Sequence, residues 1–188
     1  MRQFYEGAKM FGATAHRMAE DYDTGEILAQ EYEETPNLVT QNTAFRWGQL
    51  IKKAIAYGME SAISGKAGII QEDTQATYAA PFTEDEKWID LTESTNLILR
   101  KTVALNLTGG LAKTSINGQI YKIHSAHYLS NLSDKPAGSV IKQGKGVFVI
   151  ATADGSVKLI TELFDPHKKY DNPLPVSAFL SNQSIMGI

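Results

Sequence analysis

The sequence predicts an α+β protein: a β-hairpin and one long helix, followed by a small antiparallel open β-barrel. Three observations carry that expectation. Apolar residues recur at three- and four-residue intervals between about Thr40 and Ile63, the mark of one amphipathic helix. Beyond Asn106 the pattern changes to short alternating stretches separated by Asn-Gly and Asp-Gly pairs, as in small antiparallel barrels. The 188 residues are 43% hydrophobic and 21% charged. That is ordinary globular usage, enough to bury a core without metal or disulfide.

The elements follow in chain order. Phe11–Met18 and Ile27–Glu33 alternate as strands, with Asp23-Thr24-Gly25 supplying turn chemistry between them. The connecting loop is acidic, carrying Glu20, Asp21, Asp23 and Glu26, and Thr35-Pro36-Asn37 then breaks the chain. In the long helix, Phe45, Leu50, Ile51, Ala54, Ile55, Met59 and Ile63 form the apolar face. Gly48 and Gly58 weaken it slightly, and Ser64 to Gly68 ends it. Residues 69–82 read as a linker, so two units are expected, 1–80 and 81–188. A short helix is expected over Ser94–Ala104. Strands follow over Leu111–Ile116, Gln119–Tyr128, Ser139–Lys142, Val147–Thr152 and Val157–Leu163.

Composition excludes several functions. Cysteine is absent, which removes disulfide scaffolds, thiolate zinc sites and cysteine nucleophiles together. No apolar run approaches the ~20 residues of a membrane helix. Met1 to Met10 contains Arg2, Glu6 and Lys9 and lacks the apolar core of a signal peptide. A cytoplasmic location without membrane contact is the expectation. Net charge is −3, but its two halves differ in sign: residues 1–80 are acidic and residues 96–170 basic. The basic segment suits either a phosphate backbone or simple solubility. No phosphate loop, dinucleotide fingerprint, serine triad or metal cluster is legible.

Three stretches carry a resemblance. Gly12-Ala13-Thr14-Ala15-His16 followed by Asp23-Thr24-Gly25-Glu26-Ile27-Leu28 has the form G-x-T-x-H…D-x-G-x-I/L. Gln71 to Ala79 has the form Q-x-x-x-x-A-T-Y-A and leads to Ile89-Asp90. Asn117 to Ile123, Pro136 to Val140, Thr152-Ala153-Asp154-Gly155 and Phe179-Leu180-Ser181 complete the set. In this order they resemble the C-terminal half of the methionyl-tRNA formyltransferase family. Where that family has R-A-F-N-P-W-P-G, this chain has Arg100 to Gly109, and only the Arg, an Asn and a Gly remain.

The resemblance implies formyl transfer from 10-formyltetrahydrofolate to an amine, in the service of protein biosynthesis. The hairpin and long helix would be the remnant of an α/β catalytic domain, and residues 81–188 its barrel domain. By position in D-x-G, Asp23 would be the catalytic carboxylate, while Asp21, Tyr22, Thr24 and Gly25 would shape the loop against the pterin. Asp23 lies among like charges, an environment suited to proton exchange, yet Asp-Thr-Gly is also an ordinary solvated turn. The family's catalytic Asn and His fall in a segment preceding the part that starts at Met1. The chain alone is therefore expected to be inactive, with a homodimer or a complementing half docking through residues 1–65 over Phe11, Phe45, Trp47 and Leu50. Transfer RNA is the expected partner of residues 96–170. The alternatives are a non-catalytic module that binds tRNA or protein, and part of an amino-sugar N-formyltransferase.

His16 shares a strand face with Thr14 and Met18, so it either supports the Asp23 site or is a hydrogen-bonded strand histidine. His124 and His127, three apart on a strand, are expected on opposite faces and not to share a metal. Tyr78, Trp88, Tyr121, Tyr128 and Tyr170 either stack bases or pack the barrel and linker.

Overall fold

The computed structural model describes residues 1–168, except 73, 75, 108, 131 and 132. Phe179 to Ser181 and Tyr170 lie outside the described residues. The chain opens with α1 (Arg2–Glu6), which ends at Gly7 in the left-handed conformation, φ 74°. The sequence pattern alone predicts no element here. α1 exists because Phe4 is fully buried and its ring meets Phe11 at 5.3 Å; tertiary packing, not length, sustains a helix this short.

β1 (Met10–His16) and β2 (Ile27–Glu34) form a two-stranded antiparallel sheet with a register shift between Ala15 and His16. α2 (Gln41–Ile63) packs on one face of it. The Thr40 N–H donates to Thr43 Oγ1 at 3.1 Å, satisfying a donor at the helix start. Gly58 lets helix and hairpin touch: a Cβ there would lie 2.6 Å from Ala15 Cβ. Burial is narrower than the periodicity implied. Ala44, Leu50, Ala54 and Gly58 are buried, whereas Phe45, Ile55, Met59 and Ile63 are exposed. Two strands cover only one row of a helix, so the second apolar row faces outward.

From α2 the chain returns beside the hairpin, where Ile27 and Ile69 exchange backbone hydrogen bonds of 2.8 and 2.9 Å. A 3-10 turn (Asp85–Lys87) precedes α3 (Thr95–Leu107). Then come β3 (Lys113–Ile116), β4 (Gln119–Leu129), β5 (Val140–Gly144), β6 (Val147–Thr152) and β7 (Gly155–Leu163). They make one antiparallel sheet in the order β3-β4-β7-β6-β5. It is the open half-barrel the turn spacing predicted. α3 runs three residues beyond its expected end because Asn106 is needed at its C-terminus. The Asn106 amide donates to the carbonyls of Ile123 and His124 at 2.8 and 3.0 Å, across a bulge in β4.

Two cores meet at α3. Ile98, Leu99 and Leu105 pack with Ile123, Phe148, Ile150 and Leu159 of the sheet. Val103 and Ala104 pack with Phe4, Phe11, Val39 and Leu50. Arg2 fastens the same junction: it pairs with Glu86 and donates to the carbonyls of Ala80 and Pro81.

Candidate functional site

The hairpin loop between β1 and β2 is shaped by contacts that leave its acidic tip open. Gly25 is buried, and a Cβ on it would sit 1.8 Å from the Arg17 carbonyl oxygen. Only glycine permits that approach. The Arg17 N–H donates to the Glu26 carbonyl at 2.9 Å, and the Glu26 carboxylate accepts from the Gly68 N–H at 3.1 Å. Thr24 Oγ1 donates to the Asp21 carbonyl at 3.1 Å.

Asp23 takes a left-handed backbone, φ 59°, a conformation that Asp and Asn adopt more readily than bulkier residues. It is held there by Gln71, whose amide donates to the carbonyls of Asp23 at 2.8 Å and Gly25 at 2.6 Å. In the sequence, Gln71 heads a linker motif that implies no role for it. Its position at the head of that motif was the available signal, but the hydrogen bonds span 48 and 46 residues, which no local pattern reveals.

Asp23 is 93% exposed, and its Oδ1 lies 3.4 Å from Nε2 of His16. His16 Nδ1 lies 2.9 Å from the Arg17 carbonyl, which can only accept, so Nδ1 carries a hydrogen. The contact places an imidazole nitrogen and a carboxylate side by side at the loop tip. Asp21 and Tyr22 are exposed beside it, Tyr22 almost fully. Thr24 and Gly25, by contrast, have their hydroxyl and carbonyl engaged in holding the loop.

The remaining candidates do not converge on Asp23. His124 Nε2 lies 3.2 Å from Glu162, and Ser125 Oγ 2.9 Å from His127 Nε2, so each histidine has its own partner. Tyr121 packs edge-on against Phe148 with ring centroids 5.0 Å apart. Trp88 lies under the Lys113 ammonium. Tyr78 is 89% exposed, so it packs neither barrel nor linker. Of the basic side chains in the second half, Lys113 pairs with Glu84 and Lys101 caps the Tyr5 ring, whereas Lys142, Lys145 and Lys158 are exposed.

The dimer surface expected from sequence also changes in detail. Phe11 and Leu50 are buried within this chain, and Trp47 is half-buried with its indole N–H on the Gly12 carbonyl at 2.8 Å. Phe45 remains open.

Comparison with known proteins agrees with this architecture. The methionyl-tRNA formyltransferase of Latilactobacillus sakei is 28% identical over 183 residues, covering 93% of this chain and 54% of its own. The chain spans about half the length of the curated relatives it matches. A HypX structure from Aquifex aeolicus in complex with tetrahydrofolic acid superposes with a TM-score of 0.72 at 19% identity, covering 96% of this chain and 32% of that one. An N-formyltransferase from Helicobacter canadensis, in complex with folinic acid and dTDP-3-aminofucose, gives a TM-score of 0.58 at 16% identity, with 85% and 59% covered. These two likenesses concern the fold. The model of the formyl transferase C-terminal domain matches residues 81–183, more than half of the chain, which therefore belongs to the formyl transferase family.

Proposed function

We propose that this chain contributes the carboxylate side of a formyl-transfer site acting on 10-formyltetrahydrofolate and an amine. The observation that carries this reading is the contact of Asp23 with His16 on a loop tip locked by Gln71. Formyl transfer needs the attacking ammonium to lose a proton, the formyl oxygen to be held as charge builds on it, and the departing nitrogen to be protonated. 10-Formyltetrahydrofolate supplies the formyl carbon. Asp23 accepts the first proton of the ammonium and returns it to the departing nitrogen, while the second goes to solvent. His16 keeps that carboxylate oriented between the two tasks. Asp21 and Tyr22 meet the pterin, and Thr24 and Gly25 hold the loop in shape for them.

The donors for the formyl oxygen come from elsewhere: the family resemblance assigns them to an Asn and a His that no motif of this chain matches. Loss of one such donor typically costs ~10²–10³-fold in rate. The 188 residues alone are thus expected to show no turnover. Adding the N-terminal half of a methionyl-tRNA formyltransferase should restore formyl transfer, and Asp23→Asn should abolish the restored activity. Turnover that survives Asp23→Asn sinks the reading. Absence of any turnover with the added half favours a non-catalytic binding module instead.

In this reading residues 1–80 and 81–188 are two units, working in the cytoplasm. The amine is carried on tRNA, approached through residues 96–170. Neutralising Lys101, Lys113, Lys142 and Lys145 should flatten the dependence of log K on log salt. The second reading, a small amino-sugar acceptor, is favoured by the likeness in fold to the sugar N-formyltransferase. It predicts no salt-dependent tRNA binding. The complementing half, or a second copy of the chain, docks on residues 1–65, where the outer row of α2 is apolar and exposed.

A further inference from the structure

A polar cleft of about 470 Å³ lies away from the Asp23 loop, between the end of α1, the chain leaving β2 and the flank of α3. Its walls carry Lys9, Thr35, Asn96 and Arg100. Among the described residues, no acidic side chain pairs with Arg100 or Lys9. An arginine held half-buried without a counter-ion presents its forked donors to whatever enters. Gly7 makes the room for it: a Cβ at that position would stand 1.5 Å from Arg100 Nη1.

The second observation concerns polar atoms left without partners. Four buried side-chain atoms lack a hydrogen bond among the described residues, and two of them, Thr35 Oγ1 and Asn96 Oδ1, belong to residues of this one cleft. Buried polar atoms are ordinarily satisfied, and exceptions mark a missing partner. The chemistry of the two differs. A threonine hydroxyl serves an anion as donor. A carboxamide oxygen only accepts, so it needs a hydroxyl or N–H from the ligand. The phosphate of a monoester dianion has no such donor, but the sugar it is joined to does.

We propose that this cleft binds a small phosphate monoester bearing free hydroxyl groups, a sugar phosphate. Arg100 and Lys9 hold the phosphate, with Thr35 donating to it. Asn96 accepts from a sugar hydroxyl. Asn96 and Arg100 stand four apart on α3 and share a helix face, so one rigid element presents both halves of the recognition.

The test is calorimetric titration of the full chain with ribose 5-phosphate, inorganic phosphate and ribose. Ribose 5-phosphate should bind saturably and at least ~10-fold tighter than inorganic phosphate, and ribose should not bind, as expected when an ionic and a hydroxyl contact add. Arg100→Gln should weaken ribose 5-phosphate ~10-fold or more, the loss of a charge-assisted pair. Asn96→Leu should erase its advantage over inorganic phosphate. Lys66→Gln, at an exposed position beyond the end of α2, should change nothing. Circular dichroism checks each variant's fold, and Lys9→Gln, at an exposed position, serves if Arg100→Gln unfolds. No saturable binding, or equal losses from Lys66→Gln and Lys9→Gln, overturns the proposal. So does tighter, Arg100-dependent binding of a single-stranded RNA oligomer.

Discussion

At the scale of single residues, the loop depends on two positions whose chemistry is not catalytic. Gly25 stands so close to the Arg17 carbonyl that an added methyl has no room. Gly25→Ala should therefore destabilise the protein by about 1–3 kcal/mol, the usual cost of overpacking, seen as a lower urea midpoint. Asn106 satisfies three backbone groups, donating to Ile123 and His124 and accepting from the Ala112 N–H at 3.3 Å. Asn106→Leu would leave them buried and unpaired, a loss of at least ~1–3 kcal/mol. A variant as stable as the parent would show that α3 does not need this anchor. Its survival where the family has R-A-F-N-P-W-P-G has, on this account, a packing reason independent of tRNA.

At the scale of elements, α3 is capped from outside its own sequence neighbourhood. Asp154, in the turn between β6 and β7, accepts from the Thr95 N–H at 2.7 Å, and the Thr95 and Thr152 hydroxyls meet at 2.6 Å. The Thr95 N–H, ahead of the hydroxyl contacts, holds the Asp154 carboxyl below its ordinary range. A carboxylate favoured in the folded state adds stability above its unfolded pKa. That stability is lost as pH falls through the lower, folded value. Asp154→Ala should cost about 0.5–2 kcal/mol, as loss of a helix cap does. Asp154→Asn keeps an acceptor and should cost less at neutral pH while removing this contribution to acid sensitivity. Chemical denaturation of both variants across acid pH reads the difference.

At the scale of the whole molecule, α1 and α3 pack against each other, α1 also touching β1 and α3 touching β4. The Arg2 guanidinium, more than the Thr83 N–H, lowers Glu86 from 4.5 to about 2. Its stabilising contribution is therefore complete above pH 4.5 and disappears as pH falls from there toward about 2. Glu86→Gln should remove that component of acid unfolding while leaving the Asp154 component in place. An unchanged acid profile would mean that the Arg2–Glu86 contact adds nothing to the folded state. The outer row of α2 belongs to the same scale. Phe45→Ser and Ile55→Ser should abolish any self-association seen by light scattering, and a dimer that persists would place the contact elsewhere.

Legibility divides along the same lines. The period of α2, the five strands of the half-barrel and the turn at Asp23 were all written in local pattern, because each is set by neighbours within a few residues. The position of Asp23 came from a motif, and so did the linker that begins at Gln71. What local pattern did not contain was α1, the clamp from Gln71 to the loop and the cap from Asp154 to α3. Nor did it contain which row of α2 is buried. Each of these joins residues far apart in sequence, and its energy exists only once the chain has closed on itself. A five-residue helix is unstable until Phe4 finds Phe11. A glutamine amide is merely polar until two carbonyls are brought within reach. An amphipathic period shows that a helix has an apolar face, but only the width of the sheet beneath decides how much of that face is covered.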